Sequence, residues 1–267
     1  MARSALLNVM VQAAQKAARG LMRDLGEVEN LQVSLKGPGD FVSAADRRAE
    51  KIIFEELEHA RPGYSFLMEE GGSIEGTDKT HKWIIDPLDG TTNFLHGIPL
   101  FSISLALERE GVLVAGVIYC PALDELFVAE RGKGAFLNDR FRLRVANRKS
   151  LDHSVVCCGV PHQGRGDLVL FREELAKLQP LVAGIRRTGS AALDLAWLAA
   201  GRFDIFWERE LSPWDIAAGT LLVREAGGTI TDITGKPTMM ETGNVLAANS
   251  TLHTQMEKLL KPGVIDS

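Results

Sequence analysis

Residues 83–94 constrain this chain more than any other stretch, because an apolar run leads directly into two closely spaced carboxylates. The apolar run predicts the end of a buried strand. Pro87 biases Asp86 toward an extended conformation, so the carboxylates of Asp86 and Asp89 can turn toward one point. Gly90 lets a ligand approach the backbone, and the first N–H groups of a following helix can hold an anion. Carboxylates for cations beside donors for an anion predict a metal–phosphate site.

The candidate acidic residues in the first half of the chain also have ordinary structural explanations. Asp-Pro and Asp-Gly pairs are common in turns, and an aspartate at such a position often caps a helix. Asp46 follows Ser43 by three residues, as in a capping box. Glu69 and Glu70 would ordinarily be solvated charge. They nevertheless follow an apolar run, as Asp86 does, so two strand ends can present acids at one rim.

Hydrophobic periodicity predicts an α/β protein with two different halves. Helices packed on an antiparallel meander give the first half an α+β character; the predicted ranges are 5–25, 43–60, 64–68, 101–107, 112–119, 125–129 and 134–145. Alternating strands and helices give the second half an α/β character; the ranges are 155–159, 167–178, 183–187, 190–200, 203–207, 214–225, 228–232, 245–248 and 251–260. The change of pattern predicts an α+β domain over residues 1–147 with most metal ligands. An α/β domain over residues 148–267 would complete the site.

Composition argues against several classes of function. The net charge of -5 and the pI near 5.7 argue against a general nucleic-acid-binding surface, which needs basic side chains. The three cysteines form no CxxC pair and no disulfide framework, which is typical of a reducing compartment. Residues 1–25 lack the features of a signal peptide, and no window reaches the length of a membrane span. These observations predict a soluble, cytoplasmic protein without a membrane partner.

The second half of the chain supplies further candidate site residues. Asp215 lies in the predicted first turn of a helix, where a carboxylate either interacts with the helix dipole or binds a metal. The Gly189-Ser190-Ala191 run also begins a helix, and its small residues would expose backbone donors. Glu208 is another acid at a strand end.

Three segments taken together resemble the inositol monophosphatase family. They are the Glu69-Glu70 pair, the DPLDGTTNF run of residues 86–94, and the run from Trp214-Asp215 to Glu225-Ala-Gly-Gly228. The resemblance covers essentially the whole chain. It implies a layered α/β/α/β/α sandwich and a homodimer. It also implies hydrolysis of small phosphate monoesters with two or three Mg²⁺ ions per site, and inhibition by lithium.

The resemblance implies a role for each matching residue. The first metal would be bound by Glu69, Asp86 and the carbonyl of Leu88. The second metal would be bound by Asp86, Asp89 and Asp215, with Asp86 as the bridge. Thr91 would orient the attacking water, supported by Asp46 and Glu70. The phosphate and hydroxyl groups of a phosphorylated polyol would be held by Asp89, Gly90, Thr91, Gly189, Ser190, Ala191, Glu208 and Asp215.

The implied chemistry fits these residue types. Mg²⁺ takes oxygen ligands and few carboxylates, so a cluster of aspartate and glutamate without cysteine or histidine is suitable. Two cations about 3.5–4 Å apart can activate a water on one side of phosphorus and stabilise the leaving alkoxide on the other. Positioning and electrostatics would then supply most of the rate.

Inositol monophosphates are the leading substrates, and the Thr92-Asn93-Phe94 run favours that branch of the family. Fructose 1,6-bisphosphate, histidinol phosphate and 3′-phosphonucleotides are alternative substrates. A regulatory binding protein with the same fold is an alternative function. Met68 stands where the family often has glycine, and residues 157–166 show no correspondence to the family pattern. No substrate role is therefore predicted for residues 157–166.

Overall fold

The N-terminal helices each have one apolar stripe that packs onto a sheet. The computed structural model describes residues 3–25, 33–37, 40–162 and 165–261. Its first elements are α1 (Ala5–Leu25), an antiparallel hairpin of β1 (Val33–Gly37) and β2 (Asp40–Ser43), and α2 (Ala44–Ala60). In α1 the buried side chains of Leu7, Met10 and Ala14 recur every three or four residues, as an amphipathic helix requires.

The central element of the next part is an eight-stranded sheet. The elements are β3 (Ser65–Met68), β4 (Gly72–Ile74), β5 (His81–Asp89), α3 (Thr91–Leu95), β6 (Ser102–Arg109), β7 (Val112–Cys120), β8 (Glu125–Glu130), β9 (Gly134–Leu137) and β10 (Phe141–Arg142). The strand order is β10-β9-β8-β7-β6-β5-β3-β4. Strands β3 and β5 are parallel, and the other neighbours are antiparallel.

The remaining described chain forms a five-stranded mixed sheet with helices. The elements are β11 (Val155–Cys158), α4 (Leu168–Leu178), β12 (Gly184–Arg186), α5 (Ala191–Ala199), β13 (Ile205–Glu208), α6 (Pro213–Glu225), β14 (Thr229–Thr231), α7 (Met239–Thr242), β15 (Val245–Ala248) and α8 (Ser250–Leu260). The strand order is β12-β11-β13-β15-β14. Strand β11 is parallel to β12 and β13, whereas β15 is antiparallel to β13 and β14.

Five layers result from the way the helices cover the two sheets. Helices α1 and α2 share a hydrophobic core with one face of the eight-stranded sheet. Helices α5 and α6 share a second core with the other face and with the five-stranded sheet, whose outer face packs on α4 and α8. Helix α5 is apolar almost all round and is buried except at Trp197, as a helix between two sheets must be. The predicted layered α/β/α/β/α fold is confirmed.

Most predicted elements lie where the periodicity placed them, with one clear error. The single strand predicted for residues 134–145 is wrong, because β9 and β10 form a hairpin there. Asn138 and Asp139 both have positive φ, 48° and 58°, which is typical of a tight hairpin turn. The division of the chain between residues 147 and 148 stays a prediction. In the described residues, no helix is both long enough and apolar enough to cross a membrane.

Glu225, the last residue of α6, connects that helix to the turn between β8 and β9. Its carboxylate accepts hydrogen bonds from Gly132 N at 2.8 Å and Gly134 N at 2.7 Å. We expect Glu225→Ala to lower the free energy of unfolding by about 1–2 kcal/mol, because two charge-assisted hydrogen bonds are lost. Urea denaturation measures this change. Glu241→Ala, which removes an exposed carboxylate from α7, is the control, and an equal loss in both variants contradicts the expected role.

Candidate active site

A bulge at the end of β5 brings Asp86 and Asp89 together. Asp86 pairs with Ser104 of β6 and Asp89 pairs with Ser102, so four residues of β5 lie opposite three of β6. Pro87 is tolerated within the bulge because the ladder of hydrogen bonds is interrupted there. The Asp86 side chain is buried, and its Oδ1 accepts a hydrogen bond from the backbone N–H of residue 88 at 2.9 Å. Both carboxylates thereby leave the strand on the same side of the molecule.

Gly90 and Thr91 form the turn from β5 into α3. Gly90 has a φ of 94°, and a Cβ there would lie 3.0 Å from the carbonyl oxygen of Leu100, so only glycine fits without strain. The hydroxyl of Thr91 lies 3.0 Å from the carbonyl oxygen of Leu88 and 3.4 Å from Oδ2 of Asp46. The turn therefore connects the end of β5 with the first turn of α2.

The second half of the chain closes the site through hydrogen bonds across the layers. Asp89 Oδ2 accepts from the hydroxyl of Ser190 at 2.6 Å and from the backbone N–H of Ala192 at 2.7 Å. The side-chain amide of Asn93 donates to the carbonyl oxygen of Thr188 at 2.8 Å. Asp215 Oδ2 accepts from the backbone N–H of residue 212 at 2.7 Å, as part of a capping box on α6. Residues of both halves are thus fixed relative to one another at the site.

Two groups of carboxylates converge here. The ligand oxygens of Asp86, Asp89 and Asp215 all lie within 4.8 Å of one another. The oxygens of a second group, Asp46, Glu69 and Glu70, do so as well. Each group could hold a metal ion, since oxygen donors from carboxylates are the ligands that hard divalent cations require.

The pocket beside these carboxylates has a volume of about 380 Å³. Its wall opposite β5 is built by the carboxyl ends of three parallel strands, which contribute Gly159 after β11, Arg187 after β12, and Glu208 at the end of β13. Ligands of α/β proteins commonly bind at such an edge. A Cβ at residue 159 would overlap the carboxyl group of Glu208, so the glycine makes room for that side chain.

A model of the inositol monophosphatase family matches residues 2–263. The chain belongs to the inositol monophosphatase family. It is 64% identical to an inositol-1-monophosphatase of Mesorhizobium japonicum over 261 residues, which cover 98% of each chain. It is 43% identical to the Nus factor SuhB of Escherichia coli K12 over 244 residues, or 91% of each chain. The predicted family and the predicted phosphatase class are confirmed.

A solved structure shows the same fold for a close relative. The crystal structure of the extragenic suppressor protein suhB from Bartonella henselae superimposes on this chain with a TM-score of 0.95 at 57% identity. The match covers 98% of this chain and 100% of that one. The layered sandwich is therefore shared along the whole length of the two family members.

Burial and mutual repulsion set the electrostatics of the family's carboxylates in this chain. Burial raises the pKa of Asp86 well above its ordinary value, and the charges of Glu69 and Asp89 raise it further. Burial and the charge of Asp215 raise the pKa of Asp89 to about 7, although hydrogen bonds from Ser190 and the backbone oppose the change. Such a cluster holds protons near neutral pH and would release them to a bound cation.

The predicted site residues divide into those that line the pocket and those behind it. The pocket is lined by Glu69, Asp86, Leu88, Asp89, Gly90, Thr91, Gly189, Ser190, Ala191, Glu208 and Asp215. Asp46 and Glu70 lie behind this surface. Asp46 is 1% exposed and faces the hydroxyl of Thr91, and the Glu70 carboxylate lies 3.7 Å from Nε of Arg47.

The sequence did not reveal several residues of the pocket wall. Residues 157–166 were given no substrate role, yet Cys158, Gly159, His162 and Arg165 line the pocket, as do Arg187 and Asp194. Burial raises the pKa of Asp194 to about 7 and that of Glu208 to about 8. For Gly159 and Arg187 the available signal was their position directly after apolar strands, the same signal that singled out Asp86, whereas Asp194 lies inside α5.

Proposed function

We propose that this member of the family hydrolyses inositol monophosphates with Mg²⁺ as its metal. The observation that carries the proposal is the convergence of two carboxylate groups beside a polar pocket. In the reaction the water oxygen forms a bond to phosphorus while the bond between phosphorus and the ester oxygen breaks. The alcohol leaves with a proton, and the products are inositol and inorganic phosphate.

The donor set fits magnesium, because it consists of carboxylate and carbonyl oxygens. The family resemblance supplies the ligand sets of this proposal. Glu69, Asp86 and the carbonyl of Leu88 would hold one ion, and Asp86, Asp89 and Asp215, whose oxygens converge within 4.8 Å, would hold the other. The raised pKa values of Asp86 and Asp89 support a cation here, because a positive charge would remove the repulsion that raises them. When bound, Mg²⁺ would stabilise negative charge on the phosphoryl oxygens and lower the pKa of a water.

Thr91 and Asp46 are proposed to orient the attacking water, and the geometry supports this role. The Thr91 hydroxyl has one proton and two possible acceptors, the Leu88 carbonyl at 3.0 Å and Asp46 at 3.4 Å. When the Thr91 hydroxyl donates its hydrogen bond to Asp46, its oxygen can accept a hydrogen bond from a water in the pocket. Glu70 is proposed to support this pair from the second carboxylate group.

The substrate contacts follow from the arrangement of the pocket. We place the phosphate at the backbone of Gly90 and Thr91, beside Asp89 and Asp215. The polyol hydroxyls would face Gly189, Ser190, Ala191 and Glu208. The Ser190 hydroxyl already donates to Asp89, so this serine would position the carboxylate and offer the substrate its lone pairs. The raised pKa of Glu208, about 8, lets its carboxyl group donate as well as accept a hydrogen bond near neutral pH.

Phosphate release from a panel of substrates tests the proposed function. Inositol 1-phosphate, fructose 1,6-bisphosphate, histidinol phosphate and a 3′-phosphonucleotide are compared with and without Mg²⁺. We expect the highest kcat/KM for inositol 1-phosphate and no release without metal. A higher value for any other substrate contradicts the assignment, and no release from any of them contradicts the enzymatic function.

The proposal also includes a homodimer, inhibition by lithium and a cytoplasmic location. The first two rest on the family resemblance alone, and the third rests on the absence of a paired-cysteine pattern in the sequence. Light scattering and phosphate release at increasing LiCl test the first two directly. A monomer, or a rate that LiCl leaves unchanged, would remove that part of the proposal.

Magnesium is expected to stabilise the protein more at pH 8 than at pH 5.5. Without metal the folded carboxylates keep protons to about pH 7, as the pKa of Asp89 indicates, whereas the unfolded chain releases them near its ordinary pKa of 3.8. The free energy of unfolding of the metal-free protein should therefore fall as the pH rises through this interval. Mg²⁺ binds the ionised carboxylates and restores stability where they are ionised. Thermal unfolding with EDTA or millimolar Mg²⁺ at both pH values measures the difference, and an equal shift at both contradicts the linkage.

A further inference from the structure

We propose that Asp194 is a positioning residue for the polyol, because by holding Thr188 it fixes the loop of residues 189–191 against which the substrate hydroxyls bind. The inference rests on the proposed function, which places those hydroxyls at this loop. Asp194 lies in the first turn of α5, is 2% exposed and borders the pocket.

The carboxyl group of Asp194 accepts hydrogen bonds from two parts of the chain. One comes from the hydroxyl of Thr188, the residue directly before the loop, and the other from the thiol of Cys157. Cys157 lies on β11, which is paired with β12 on one side and β13 on the other. Asp194 therefore connects the loop to an inner strand of the five-stranded sheet.

The stability of α5 does not require an acid at this position. Ser190 already caps the helix, because its hydroxyl accepts a hydrogen bond from the backbone N–H of Leu193 at 3.4 Å. The backbone N–H of Asp194 donates to the carbonyl oxygen of Ser190 at 3.0 Å. Burial raises the pKa of the Asp194 carboxyl to about 7, so the fold keeps this acid although burial disfavours its ionised form. The bond to Thr188 is the contribution of this side chain to the pocket.

Thr188 is held from two directions. Its carbonyl oxygen accepts from the side-chain amide of Asn93 at 2.8 Å. Its hydroxyl donates to Asp194 and accepts from the backbone N–H of Ser190 at 3.5 Å. Gly189 has a φ of 93°, and a Cβ there would lie 3.0 Å from Nδ2 of Asn93. The loop therefore packs closely on Asn93 on one side, and the bond to Asp194 fixes its other side.

The same loop carries a hydroxyl that faces the carboxylates. Ser190 donates to Oδ2 of Asp89 at 2.6 Å, so its oxygen has lone pairs left for a substrate hydroxyl. A shift of the loop would move this oxygen, whereas Asp89 would keep the hydrogen bond from the backbone N–H of Ala192. The backbone of residues 90–91, where the phosphate is proposed to bind, would also stay in place. Loss of the Asp194 contact should therefore weaken polyol binding and leave phosphate binding unchanged.

Two constants separate polyol binding from phosphate binding. KM and kcat are measured for inositol 1-phosphate by the release of inositol, and Ki is measured for inorganic phosphate, which carries no polyol. The variants are Thr188→Val, Asp194→Ala and Asp194→Asn, and melting temperatures show that each is folded. Asp204→Asn is the matched control, because Asp204 is an equally buried acid of the same half that bonds to Arg148 and lies outside the pocket lining.

We expect Thr188→Val and Asp194→Ala to raise KM for inositol 1-phosphate by about tenfold, because the loop loses a hydrogen bond that acts equally in the ground and transition states. Both kcat and the Ki for phosphate should stay within about threefold of the wild type. Asp194→Asn should keep KM within about threefold, because its amide oxygen still accepts from Thr188. Asp204→Asn should leave KM and Ki unchanged.

Several results would overturn the inference. Equal rises in KM and in the Ki for phosphate would mean that Asp194 supports the whole site. An unchanged KM in Thr188→Val, or the same loss in Asp194→Asn as in Asp194→Ala, would remove the proposed hydrogen-bonding role, and so would a selective rise of KM in Asp204→Asn. If the wild type hydrolyses inositol 1-phosphate, any of these results leaves the proposed function standing, whereas a wild type without turnover refutes both.

Discussion

Asp89→Asn should abolish phosphate release while leaving the fold intact. In the proposed site Asp89 holds a metal ion, and an amide oxygen lacks the charge needed for this. We expect kcat to fall by about 10³-fold or more, since charge stabilisation at the reacting phosphate supplies most of the rate. The amide oxygen can still accept from Ser190 and Ala192, so the N-terminal part of α5 should keep its cap.

The melting temperature distinguishes a loss of catalysis in Asp89→Asn from misfolding of the variant. Without metal the variant should melt at or above the temperature of the wild type at pH 8, because one buried, mutually repelling carboxylate is gone. The stabilisation by Mg²⁺ should shrink at the same time. Asp167→Asn is the matched control, because Asp167 also caps a helix through two backbone N–H groups but lies outside the carboxylate clusters. Retained turnover in Asp89→Asn, or an equal loss in Asp167→Asn, contradicts the ligand role.

Thr91→Val is expected to give the second largest effect. Valine has nearly the same shape but has no hydroxyl to orient a water or to bond with Asp46. We expect kcat to fall by about 10²- to 10⁴-fold, the usual contribution of a positioned proton acceptor. KM and the stabilisation by Mg²⁺ should change little, because the carboxylates remain in place.

Thr92→Val provides the comparison for this prediction. Thr92 is the exposed neighbour in the same motif and also borders the pocket. Its substitution should leave kcat within about threefold of the wild type, as is usual for an exposed side chain away from the reacting groups. A small effect in Thr91→Val, or a similar loss in Thr92→Val, would mean that another group orients the water.

The sequence predicted the structure best where a segment has a regular apolar pattern. The apolar run before Asp86 predicted a buried strand end, and the structure has β5 with a bulge there. Helix α1 was predicted with its observed bounds, because its apolar stripe is long and regular. The convergence of Asp215 with Asp86 and Asp89 was implied by the family resemblance, since local pattern alone does not say which distant segments meet.

Other features depend on strand order, which the sequence pattern does not contain. Gly159, Arg187 and Glu208 belong to one wall because β11 lies between β12 and β13 in parallel register. Gly159 and Arg187 are ordinary when each is considered in its own segment, whereas Glu208 was predicted as an acid at a strand end. Four residues of the segment 157–166 line the pocket, although none was predicted to do so from the sequence. The hairpin at Asn138 could have been predicted from its turn residues.

The acidic residues of the site come from different helices and strands of the fold. Asp86 and Asp89 lie on the eight-stranded sheet, Asp46 on α2, and Asp215 in the first turn of α6. Glu69 follows β3. Packing of helices and sheets around extensive apolar cores provides the stability needed to keep like charges together. A cation that binds between them would therefore connect the two halves of the chain.

The proposed function requires that this chain hydrolyse a polyol phosphate with metal held by its converging carboxylates. The most direct test is the initial rate of phosphate release from inositol 1-phosphate, measured after EDTA treatment and again after Mg²⁺ is restored. We predict no release above background without metal and full recovery with Mg²⁺. An undiminished rate in EDTA, or no release in saturating Mg²⁺, would contradict the claim.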